Sequence, residues 1–207
     1  LCCLIYFMQN FQFNTSSGLR FGEGSSVNSC SEIINKLGSN IFFITDKGLM
    51  LLDLTKPTIL ELKKNSQVKI FDKVEADPSR NTLLKAIDEA KSFQATGIIG
   101  FGGGSSMDIA KLVALILGSN ENLDEVWGVE NAKGPRLPLV LIPTTAGTGS
   151  EVTPISIITV ENDEKRGVSS SILLPDLSIL DPVLTIGLPP EITAATGIDA
   201  MVHAIEA

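Results

Sequence analysis

The sequence predicts an α/β protein with a doubly wound parallel sheet, and three observations carry that prediction. Short apolar runs alternate with segments of helical periodicity three times before residue 97, which calls for parallel strands joined by crossover helices. Two runs, IFFIT (41–45) and LPLVLIP (137–143), are continuously apolar, as strands buried on both faces are. Between them, GIIGFGGGSSMDIAKLVALIL (97–117) reads as a buried strand, a turn of three glycines and a helix. With 207 residues, 43% of them apolar, the chain has material for a sizeable core.

In chain order, LCCLIYF (1–7) precedes the first methionine, Met8, and lacks the basic start and small-residue cleavage site of a signal peptide. A non-native leader with the native start at Met8 is expected. Alternating Phe11, Phe13, Leu19 and Phe21 predict a short hairpin or edge strands. Val27, Ile33, Ile34 and Leu37 have the spacing of one helix over 25–37, ended by Gly38. After IFFIT comes Asp46, and Pro57 divides the helical stretch 49–65 into two pieces. VKIF (68–71) is a third strand, and Asp77-Pro78 turns the chain into an amphipathic helix over 80–93.

Beyond the glycine turn, LPLVLIP runs into TTAGTGSEVTP (144–154), a loop of four threonines, one serine and two glycines. ISIITV (155–160) and VSSSILL (168–174) predict a hairpin whose turn holds Lys165 and Arg166 as surface charges. A last strand over 177–180 precedes Asp181-Pro182, and Leu188-Pro189-Pro190 links to a terminal helix, EITAATGIDAMVHAIEA (191–207). Residues 8–187 are therefore expected to form one domain and 188–207 to open a second, truncated one.

The net charge of -8 argues against a nucleic-acid surface. No apolar run reaches the ~18 residues of a membrane span. Three scattered cysteines suit a reducing compartment, so a cytoplasmic protein is expected. The N-terminal edge strands leave a homodimer open.

Candidate chemistry gathers at three places. In the glycine turn, absent Cβ atoms let a ligand approach the main chain, and the helix beyond aims free N–H groups at that space, which suits a pyrophosphate. Ser105 and Asp108 have capping-box spacing, so the helix should open at Ser105 or Ser106. A ligand-free turn is the alternative, and Gly100-x-Gly102-x-x-Ser105 misses the dinucleotide fingerprint at its third glycine. Asp46, after an early strand, is placed to grip a ribose hydroxyl and repel a 2′-phosphate, to cap the next helix, or both. The small hydroxyl residues of the 144–154 loop offer donors to a ligand. Asp199 and His203, four apart on a helix, can meet at one point as ligands for Fe(II), Zn or Mn, or form an intrahelical ion pair. His203 is the only histidine, so no second imidazole is available.

Four segments, FGEGS (21–25), GFGGGSSMDIAK (100–111), PTTAGTGSEVTP (143–154) and GIDAMVHAIEA (197–207), together resemble the iron-containing (group III) alcohol dehydrogenase family in order and spacing. The resemblance implies a Rossmann-like NAD(P) domain followed by an all-helical domain that carries most of a metal site. It implies that Gly103, Gly104, Ser105 and Asp108 bind the pyrophosphate, that Thr144, Thr145, Thr148 and Thr153 contact the cofactor, and that Lys165 lies near its ribose. Asp46 stands where NAD-preferring members have an aspartate, so NAD is favoured over NADP. Asp77 replaces an expected asparagine. Asp199 and His203 look like two of four ligands for Fe2+, or alternatively Zn2+, the other two being histidines absent here. The implied reaction is hydride transfer between a primary or secondary alcohol, or a diol, and NAD, with the metal stabilising the alkoxide. An enzyme similar to glycerol dehydrogenase or dehydroquinate synthase is an alternative within the superfamily. A noncatalytic NAD-binding fragment is an alternative outside it.

Overall fold

The computed structural model describes residues 13–206. In chain order the first elements are β1 (Leu19–Phe21), α1 (Ser25–Asn28), α2 (Cys30–Leu37), β2 (Asn40–Ile44), α3 (Lys47–Leu51), α4 (Lys56–Leu62) and β3 (Gln67–Phe71). There follow α5 (Arg80–Ser92), β4 (Gly97–Gly102), α6 (Gly104–Ser119), β5 (Gly128–Val129) and β6 (Leu139–Pro143). The remainder is β7 (Ile155–Thr159), β8 (Lys165–Ser169), β9 (Leu177–Leu180), α7 (Val183–Ile186) and α8 (Pro190–Glu206). Six strands make one sheet in the order β1-β9-β6-β4-β2-β3, every pair parallel. A smaller sheet, β5-β8-β7, contains the antiparallel pair β7 and β8.

Alternation along the strands builds a three-layer core, because successive side chains leave a strand on opposite faces. Phe42, Ile44, Ile98 and Leu141 pack on one face with Leu83, Ala86 and Ala90 of α5 and most of α6. Phe43, Ile99, Phe101 and Ile142 pack on the other with Cys30, Ile33, Leu37, Ile59 and Leu62. Both layers exclude water from the central strands, which explains why their sequences are apolar without interruption.

Winding direction decides where a ligand can enter. From β2 the chain runs outward to β3 and then returns to place β4 on the other side of β2, after which β6 and β9 continue away. The reversal leaves a crevice between the carboxyl ends of β2 and β4, the position at which open α/β sheets bind ligands. Asp46 and the glycine turn flank it.

Several expectations are corrected. Residues 19–21 form an edge strand paired in parallel with β9, and no hairpin forms among the described residues 13–24. The helix expected over 25–37 is broken at Ser29, which leaves the helical region at φ -87, ψ 2. Asp181 holds the first piece, accepting from Ser26 N (3.1 Å) and Ser26 Oγ (2.6 Å). The stretch 49–65 does divide in two, as expected, into α3 and α4, with Pro57 in the first turn of the second piece. The second hairpin strand begins at Lys165, so this lysine lies in β8 and not in the turn. The expected leader 1–7, Met8 and Phe11 lie outside the described residues. Among the described residues, no helix is long and apolar enough to cross a membrane.

Candidate cofactor cleft

Strand β4 ends at Gly102, whose φ of +151 is one that residues with a side chain rarely adopt. A Cβ there would also stand 2.7 Å from Ser106 Oγ. The next strand is tied to this corner, since Thr144 N donates to Gly102 O (3.0 Å). Helix α6 then opens at Gly104 with Gly103 as its N-cap, and no side chain caps it. Its first amides and the positive end of its dipole therefore face the space beyond the sheet, an arrangement that receives phosphate.

The expected capping box does not form. The helix opens earlier than Ser105, which carries Asp108 beyond the first turn and out of reach of the cap position. The Asp108 carboxylate instead crosses to the threonine loop and β7, accepting from Ser150 Oγ (2.8 Å) and Ile157 N (3.0 Å).

A cleft of about 600 Å³ opens in front of α6. Gly104, Ser105 and Asp108 line it from the helix, Thr148, Ser150 and Thr153 from the loop, Lys165 from β8, and Asp199 and His203 from α8. The two sides are close, for a Cβ at Gly104 would lie 3.2 Å from Thr148 Cγ2. Four expected site residues lie elsewhere. Gly103 caps the helix, Thr144 is buried beneath the loop, and Thr145 lines a smaller hollow of about 240 Å³ with Phe21, Glu151 and Asp181. Asp46 stands at the end of β2, where its Oδ1 accepts from Leu49 N (2.9 Å) and caps α3.

Charged groups in the cleft have definite partners. Lys165 Nζ lies 2.7 Å from Asp77 Oδ1, an exposed pair of the kind worth ~1 kcal/mol or less. His203 Nε2 lies 3.7 Å from Asp199 Oδ1, one turn along α8, and both side chains are about half exposed. Among the described residues no group of three or more His, Cys, Asp or Glu is placed to hold a metal. These two donors alone do not complete a metal shell.

Sequence reasoning gave no role to Lys111, yet it is the most committed polar group near the cleft. Its side chain is wholly buried. Nζ donates to Ser150 Oγ (2.8 Å), Thr153 O (3.0 Å) and Ile155 O (2.6 Å), and stands 3.8 Å from Asp108 Oδ1. Burial pushes the lysine down to about 8 against the attraction of Asp108 and Glu151, while burial pushes the Asp108 carboxyl up and Lys111 pulls it back. The available signal was a lone lysine between Ile109-Ala110 and Leu112-Val113, in a helix with no other cation.

Known proteins resemble this chain in sequence and in fold. A sulfoacetaldehyde reductase of Bilophila wadsworthia (strain 3_1_6) is 41% identical over 187 residues, which cover 89% of this chain and 48% of that protein. Long-chain-alcohol dehydrogenase 1 of Geobacillus thermodenitrificans (strain NG80-2) is 40% identical over 179 residues, 84% of this chain and 45% of that one. The crystal structure of a 1,3-propanediol oxidoreductase superposes with a TM-score of 0.89 at 34% identity, covering 95% of this chain and 52% of the other. That of a sulfoacetaldehyde reductase from Bifidobacterium kashiwanohense in complex with NAD+ gives 0.86 at 28% identity, covering 96% and 53%. The chain thus spans about half the length of the curated relatives it matches. A sequence profile of iron-containing alcohol dehydrogenases matches residues 16–182, so the chain belongs to that family.

Proposed function

We propose that this chain forms the cofactor-binding part of an oxidoreductase that transfers a hydride between a primary or secondary alcohol, or a diol, and NAD. The observation that carries the reading is the uncapped amino end of α6, which opens at the switch point of the sheet into a cleft bounded on another side by Asp199 and His203. In this reading the turn at Gly103, Gly104 and Ser105 receives the pyrophosphate through main-chain N–H groups. Asp108 keeps the facing loop in place rather than touching the phosphate with its own charge. Thr144, Thr145, Thr148 and Thr153 shape and line the cofactor's path, and Lys165 turns from Asp77 toward the ribose. Asp46 accepts from a ribose hydroxyl with the oxygen that does not cap α3, and it repels a 2′-phosphate, so NAD is preferred to NADP.

Residues 8–187 are then the dinucleotide-binding domain, and 188–207 open a helical one. Asp199 and His203 supply two ligands for iron, or for zinc, with further ligands from outside the described residues. When bound, such a metal supplies Lewis-acid polarisation of the alcohol oxygen. Relatives named as alcohol dehydrogenases and as a sulfoacetaldehyde reductase support an alcohol or aldehyde substrate. The two-ligand set favours a second reading for the 207 residues taken alone, a noncatalytic NAD-binding unit.

Titration calorimetry with NADH and NADPH, together with a turnover assay on 1-butanol and 1,2-propanediol with Fe2+ present, tests both readings. The expected result is NADH bound more tightly than NADPH and no alcohol oxidised. A chain that binds neither nucleotide overturns the cofactor reading, and measurable turnover overturns the noncatalytic one.

A further inference from the structure

The contacts of Lys111 fix its protonation state by counting. Ser150 has one hydroxyl proton, and it is directed at Asp108 Oδ1 (2.8 Å), so toward Lys111 the Ser150 oxygen only accepts. The carbonyls of Thr153 and Ile155 also only accept. Three acceptors around Nζ require three N–H donors, which an ammonium has and a neutral amine lacks. A wholly buried charge persists only where such bonds replace water.

The same turn of α6 makes further bonds to the facing segment. Asp108 Oδ2 accepts from Ile157 N, and Ser156 Oγ donates to Asp108 O (3.0 Å). Residues 108–111 therefore grip the chain at 150, 153 and 155–157, while Gly104 and Ser105 of that helix face the cleft.

We propose that Lys111 is a positioning residue of the cofactor cleft: by holding Ser150, Thr153 and Ile155 against α6, it sets the gap between the threonine loop and the helix end that receives the pyrophosphate. This inference deepens the proposed function and rests on its cofactor reading. Asp108 on its own helix and Glu151 on the loop are the charged groups that face Lys111. Below about pH 8 the ammonium satisfies all three acceptors; as pH rises past that value one donor is lost and the clasp loosens, so cofactor affinity falls.

The test compares the unaltered chain with Lys111→Met, which keeps an unbranched stem and removes the terminal donors. NADH affinity is measured by calorimetry at pH 7 and pH 9, and amide hydrogen exchange is followed over 144–155. The expected result at pH 7 is a loss of about tenfold or more in NADH affinity, the scale of one lost charged hydrogen-bonding group. Exchange should accelerate in the loop and stay unchanged in β4. The unaltered chain should bind more weakly at pH 9 than at pH 7, and Lys111→Met should bind equally at both, a difference that mere loss of packing does not produce. Unchanged affinity in Lys111→Met, or one pH profile shared by both proteins, overturns the inference. If Lys111→Met does not fold, Ser150→Ala removes one of the three acceptors of Lys111 together with the hydroxyl bond to Asp108, and its affinity should fall about threefold or more; no fall overturns the inference. Absence of NADH binding by the unaltered chain overturns the cofactor reading and this inference with it. Binding by the unaltered chain that Lys111→Met leaves intact overturns this inference alone.

Discussion

Helices α6 and α8 are nearly equal in length, 16 and 17 residues, and both mix alanine with larger aliphatic residues around a few polar groups. Their surroundings are opposite. Nine residues of α6 are buried, Lys111 among them, and the sheet, α5 and the threonine loop enclose it. No residue of α8 is buried, and Ile198, Met201 and Ile205 are 62%, 64% and 79% exposed. Enclosure gives α6 its definite chemistry, because its charged groups, Asp108 and Lys111, are each held against named partners. On α8, Asp199 and His203 share a face through helical repeat alone, which brings them near each other without a cage around them.

The contrast can be broken or sharpened by substitution. The largest effect is expected inside α6, where Leu112 is wholly buried: Leu112→Ala should lower stability by ~2–5 kcal/mol in chemical denaturation, as truncations in filled cores do. Gly104→Val comes next. Its side chain meets Thr148 across the cleft mouth, so NADH affinity measured by calorimetry should fall ~10-fold or more, equivalent to ~1.4 kcal/mol. Asp46→Ser keeps an oxygen to cap α3 and removes the carboxylate, and it should shift the ratio of NADPH to NADH affinity by ~5-fold, for ~1 kcal/mol of repulsion removed. An unchanged ratio would count against the ribose role. Least of all is expected on α8, where Ile205→Ala should leave stability within ~0.5 kcal/mol. A loss there as large as that of Leu112→Ala would mean the exposed face of α8 is covered in solution, and the contrast would dissolve.

Much of the frame was legible because it is written locally. Apolar runs set β2, β4 and β6, and the glycine turn announced the corner between β4 and α6 from its composition. The error at Asp108 shows the boundary of that method. Ser105-x-x-Asp108 is a valid capping signal in sequence, but it cannot reveal that Ser150 and the Ile157 amide wait across the cleft to take the carboxylate. The pairing of Lys165 escaped for the same reason, since its partner, Asp77, lies 88 positions earlier in the chain.

The sequence by itself determined the order of most strands and helices, the glycine turn, the threonine loop and the one-turn spacing of Asp199 and His203, because neighbouring residues encode all of these. Only the tertiary structure decided which strand lies beside which, that the crevice falls between Asp46 and the glycine turn, and that Lys111 spends its three protons on a segment some forty residues away. Those outcomes depend on contacts between distant parts of the chain, where burial raises the worth of each hydrogen bond and local pattern carries no record of the partner.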